Sequence, residues 1–92
     1  MSYVLVFSKT AQDDLARHKK AGDKATLKKI EKLLLELLAH PYTGTGQPEM
    51  LKHDLAGLFS RRISKKHRLV YAVYPETQSV HVLSVAGHYG AK

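Results

Sequence analysis

The stretch Gly44–Val73 reads GTGQPEMLKHDLAGLFSRRISKKHRLVYAV and sets a glutamate, Glu49, among Lys52, His53, Arg61, Arg62, Lys65, Lys66, His67 and Arg68. A second ionisable pair, His88–Tyr89, stands near the C-terminus. A carboxylate in a basic patch, with a histidine elsewhere, suits a general base and a general acid working on a phosphodiester. That polyanion would be RNA, whose own 2′-hydroxyl can serve as the nucleophile.

Each residue has a plainer alternative. Glu49 reads either as an exposed loop acid or as a base kept ionised at neutral pH by its cationic neighbours, with some loss of basicity. Arginine suits phosphate because its planar fork donates two parallel hydrogen bonds, so Arg68 and Arg62 are the favoured phosphate ligands. Strand alternation places Phe59, Arg61 and Ile63 on one face and Leu58, Ser60 and Arg62 on the other. An arginine among core residues is an odd placement, and Arg61 is assigned to solvent. Lys65 and Lys66 read as edge charge that discourages aggregation.

Among the histidines, His88 follows Gly87 at the end of the last expected strand. An imidazole, whose unperturbed pKa is about 6.5, is the natural general acid at neutral pH. Tyr89 offers an aromatic face for an unstacked base. His18, His40 and His81 read as ordinary structural histidines. His53 and His67 could touch phosphate but have no distinguishing feature. No pair has the spacing of a metal motif such as HExxH, so neither zinc nor any other cofactor is expected.

These groups need a scaffold. Tyr3–Phe7 is an apolar, β-branched run that predicts a strand. Ser8 is a good N-cap for a helix reaching about Lys20, with Gly22 closing it. Asp23 can cap a second helix, whose Leu27, Ile30, Leu34, Leu37 and Leu38 recur at helical spacing. The opposite face carries Lys24, Lys28, Lys29, Lys32 and Glu36, either a solvated face or a sequence-blind phosphate contact. Pro41 ends this helix, and Thr43–Pro48 is a loop with two glycines. Leu58–Ser64, His67–Tyr74 and Ser79–Ala86 then read as strands joined by tight turns, which implies an antiparallel meander. The expected fold is α+β: two N-terminal helices packed on a small twisted, mainly antiparallel sheet, in the order β-α-α-β-β-β.

The 92 residues suffice for one domain spanning 1–92. Fifteen Lys and Arg against 8 Asp and Glu give a formal charge of +7 at pH 7. That imbalance predicts an acidic partner. No apolar run approaches the roughly 18 residues of a spanning helix, so no membrane is expected. The N-terminus lacks a basic leader and a cleavage site, and the chain has no cysteine; a cytoplasmic location is expected.

The blocks Pro48–His53, Leu55-Ala56-Gly57, Ser60–Ile63 and His67–Val73, followed by His88-Tyr89, resemble the YoeB/Txe branch of the RelE superfamily of toxin–antitoxin systems. The resemblance covers nearly the whole chain. It implies an mRNA interferase that cleaves messenger RNA in the A site of the 70S ribosome and stops translation. It further implies no metal, a cognate antitoxin that masks the site, and a possible homodimer. By position, Glu49 matches the family's general base, Arg68 its phosphate-stabilising arginine and His88 its general acid. Lys52, Arg62 and Tyr89 match accessory RNA-positioning residues. Two departures stand out: the family commonly has lysines where Thr45 and Gln47 stand, and it ends at the His-Tyr pair, whereas Gly90-Ala91-Lys92 follow here. The alternatives are a noncatalytic inhibitor of the ParE type, which has no need of the Glu49, Arg68 and His88 set, and a basic RNA-binding module.

Overall fold

The computed structural model describes residues 2–46, 48–52 and 55–86. Strand β1 (Val4–Phe7) leads into helices α1 (Lys9–Ala21) and α2 (Lys24–Leu37). Strands β2 (Glu49–Met50), β3 (Phe59–Arg62), β4 (Arg68–Tyr74) and β5 (Ser79–Ser84) follow. The caps are those the residue types favour. Ser8 Oγ accepts from the Ala11 N–H at 3.0 Å, and Asp23 Oδ1 accepts from the Thr26 N–H at 3.1 Å. Gly22 closes α1 at φ +75°, a left-handed conformation that suits a residue without a Cβ.

The sheet order is β1-β5-β4-β3-β2. The meander from β2 to β5 is antiparallel, and β1 joins its far side parallel to β5. The two helices carry the chain from β1 at one edge of the sheet to β2 at the other, so β1 and β5 are joined through the helices and the rest of the meander. Ala11, Ile30, Leu33 and Leu37 of the helices pack against Leu69, Tyr71, Val80, Val82 and Val85 of the sheet side. Leu33, fully buried, completes the stripe that begins at Ile30 and continues through Leu37.

Two features depart from the sequence reading. A short strand, β2, precedes the three expected ones. Its two residues are too few for a period, and only pairing with β3 defines it. Between Val70 and Tyr71 the β4–β5 ladder also slips: Tyr71 pairs with Val82, but Val70 pairs with Ser84. Leu83 is the extra residue of a β-bulge, and its carbonyl accepts from Ser8 Oγ at 2.9 Å. The bulge reverses the facing of Ser84 and Val85. Ser84 therefore shares Val70's face, and Val85 turns into the helix-side core.

Candidate active site

Directly paired residues in a ladder put their side chains on the same face of a sheet. Glu49 pairs with Ser60, Ser60 with Val70, and Arg62 with Arg68. Phe59, Arg61, Leu69 and Tyr71 take the opposite, helix-covered face. Glu49, Arg62 and Arg68 thus share the face turned away from the helices. Strands are ~4.8 Å apart and alternate residues ~6.7 Å along a strand, so the Cα atoms of Glu49 and Arg68 are roughly 12 Å apart. That span accommodates two long side chains reaching toward one phosphodiester. Glu49 and Arg62 are exposed, and Arg68 is half-buried.

Lys52 is exposed just beyond β2, where its carbonyl accepts from the Leu55 N–H at 3.1 Å. Buried Leu51 precedes it, bonded through its N–H to the Leu58 carbonyl at 2.8 Å. His53, His88 and Tyr89 lie outside the described residues.

Arg61 corrects the sequence reading: it is fully buried, not solvated. Its Nε donates to Tyr71 Oη at 3.1 Å, and its Nη1 donates to Glu36 Oε1 at 3.0 Å and to the Thr45 carbonyl at 3.4 Å. Nη2 donates to the His40 and Thr43 carbonyls. All five guanidinium donors thus have acceptors, which is what makes a buried arginine tolerable. The acceptors belong largely to the segment His40–Thr45, which Tyr71 also grips through a 2.7 Å bond to the Pro41 carbonyl. This cluster fixes the chain just before Glu49. Alternation signalled Arg61's inward facing. Its carbonyl acceptors, 16 to 21 residues upstream, left no trace in the sequence.

Glu36 is the cluster's counter-charge. Burial would raise its carboxyl pKa, but bonds from the Thr45 side chain and N–H, with the Arg61 charge, hold it below its ordinary value. Those bonds are 2.7 and 2.8 Å long. Thr45 is therefore turned to Glu36. Burial raises the Tyr71 phenol, partly offset by its bond from Arg61. Gly46, at φ +87°, is pressed against β3: a Cβ there would come within 2.9 Å of the Arg62 carbonyl oxygen. Its own carbonyl accepts from the Arg62 N–H at 2.7 Å. Only a glycine fits that approach, and it ties the loop to the strand bearing Arg62.

The family model of YoeB-like toxins of bacterial type II toxin–antitoxin systems matches residues 7–89. Toxin YoeB of Escherichia coli (strain K12) is 45% identical over 69 residues, which cover 75% of this chain and 81% of that protein. Toxin YoeB of Streptomyces coelicolor is 38% identical over 72 residues, 78% of this chain and 83% of that protein. Among solved structures, a YoeB/ParE toxin from Agrobacterium tumefaciens superposes with a TM-score of 0.84 at 36% identity, covering 94% of this chain and 99% of that one. A YoeB dimer from Staphylococcus aureus gives 0.80 at 36%, covering 97% and 100%. The YoeB–YefM complex from the same organism gives 0.79 at 34%, with the same coverage.

Proposed function

This chain belongs to the family of YoeB-like toxins of bacterial type II toxin–antitoxin systems, and on that premise we propose that it is a ribosome-dependent endoribonuclease. It cuts messenger RNA in the ribosomal A site without a metal. The observation that carries this reading is the register that sets Glu49, Arg62 and Arg68 on one sheet face, the one turned away from the helices.

In the proposed reaction the Glu49 carboxylate takes the proton of a ribose 2′-hydroxyl. The 2′-oxygen forms a bond to the adjacent phosphorus as the bond from phosphorus to the 5′-oxygen breaks. Arg68, with Arg62 and Lys52, offsets the charge that grows on the phosphoryl oxygens, usually a large catalytic term. His88, as imidazolium, gives its proton to the departing 5′-oxygen, while Tyr89 holds an unstacked base. The products are a 2′,3′-cyclic phosphate and a 5′-hydroxyl.

The partners follow from kinship. A cognate antitoxin would mask this face, as suggested by the YoeB–YefM complex, and two copies would associate as in the YoeB dimer. The test is to incubate purified protein with programmed ribosomes and map strand ends. Cleavage in the A-site codon is expected, slowed ~10²–10⁴-fold by Glu49→Gln. An intact message, with translation blocked, would overturn the nuclease reading.

A further inference from the structure

Val85 follows β5 directly and is fully buried, and side chains of α1 take both its backbone polar groups. Its N–H donates to Asp14 Oδ2 at 2.9 Å, and its carbonyl accepts from His18 Nε2 at 2.8 Å. The two clamping residues are themselves only 4% and 8% exposed. The second carboxylate oxygen of Asp14 accepts from Arg17. The His18 ring also meets that of His67 edge to face, with centroids 4.8 Å apart, and His67 immediately precedes Arg68.

A chain leaving a sheet ordinarily gives its last polar groups to a neighbouring strand or to water. Here one helix holds both, just after the bulge at Leu83 has reversed the facing of the chain. Burial of Val85 obliges these two backbone groups to find partners, and both are met by side chains of one helix turn rather than by a strand. What such a clamp adds is a defined phase and position for the end of β5. His88 stands three residues beyond Val85 in the sequence.

We propose that Asp14 and His18 are positioning residues for the general acid. By holding Val85 they fix the point and phase from which the chain runs on to His88. Through His67, His18 references that point to the start of the strand bearing Arg68. The proposal rests on the reading of His88 as the acid.

The experiment uses ribosome-bound message in two forms, one ordinary and one with sulfur in place of the bridging 5′-oxygen at the cut site. A thiolate leaves without being protonated, so the sulfur substrate does not need the acid. Asp14→Leu and His18→Leu should slow cleavage of ordinary RNA ~10–10²-fold, less than the ~10²–10⁴-fold expected for loss of the acid itself. Both should cut the sulfur substrate at the unmodified protein's rate and bind ribosomes as tightly. Asp14→Asn keeps an acceptor and His18→Gln a donor, and each should stay within about threefold of the unmodified protein. Inserting one glycine after Ala86 leaves the clamp intact but displaces His88, and should reproduce the sulfur-rescued defect even if the leucine variants fail to fold. Equal slowing on both substrates, or an insertion without effect, would overturn the proposal. If His88→Ala itself is not rescued by sulfur, the reading of His88 falls, and the clamp's role with it.

Discussion

Arg62 and Arg68 stand directly opposite each other across the β3–β4 ladder, on the sheet face that also carries Glu49. Like charges so placed are ordinarily unfavourable by up to ~1 kcal/mol, and the phosphate of the proposed substrate would offset that repulsion. Glu49 lies one strand further out, with the arginines displaced along the sheet from it. On the proposed mechanism, a phosphodiester between them would meet the Glu49 carboxylate on one side and guanidinium donors on the other.

Arg68→Lys keeps the charge but loses the fork, and should reduce kcat on ribosome-bound message ~10-fold or more. Arg68→Ala should reduce it ~10²–10³-fold, the effect typical of losing one donor to a developing oxyanion. Arg62→Gln, at the exposed end of β3, should have a smaller effect and leave the unfolding free energy within ~0.5 kcal/mol. Single-turnover cleavage and denaturant titration on the same preparations check both arms.

Arg61 should behave in the opposite way. Arg61→Met removes one partner of a buried pair and leaves Glu36 and several carbonyls unmatched, which typically costs about 3–5 kcal/mol. The loss should appear as a lower denaturation midpoint. Any fall in activity should trace to the segment before Glu49, since Arg61 itself faces the core.

Acid should loosen the same cluster. Folding holds the Glu36 carboxyl below its ordinary 4.5, so the folded state favours the charged form. The stability this contributes is whole above about 4.5 and fades as pH falls through the lower folded value. The gap in melting temperature between the unmodified protein and Glu36→Gln should therefore be largest near neutrality and shrink on acidification.

Ser60, between Glu49 and Val70 in the ladder, is fully buried, and its Oγ has no hydrogen-bond partner among the described residues. A hydroxyl removed from water without compensation is unfavourable. Ser60→Ala should leave the unfolding free energy unchanged or raise it by up to ~1 kcal/mol, measured by urea titration.

Local chemistry made much of this architecture legible. Ser8, Gly22 and Asp23 mark the helix ends because capping acts within one turn, and the alternation in β3 and β4 separates Arg62 and Arg68 from Tyr71 and Leu69. What stayed hidden depends on partners far away in the chain. Leu83's bulge arises from how β5 meets β4, β2 exists only through β3, and Arg61 is buried because carbonyls of the preceding loop come to meet it. His18 looked like any helical histidine because its acceptor is 67 residues away.

The most direct test of the central claim replaces the 2′-hydroxyl with hydrogen at the single nucleotide whose 3′-phosphate is cut, in ribosome-bound message, and analyses the ends by mass spectrometry. The ordinary message should yield a 2′,3′-cyclic phosphate and a 5′-hydroxyl, and the deoxy message should remain uncut. Cleavage of the deoxy message at the same position would contradict the account, because the attacking oxygen would then come from elsewhere.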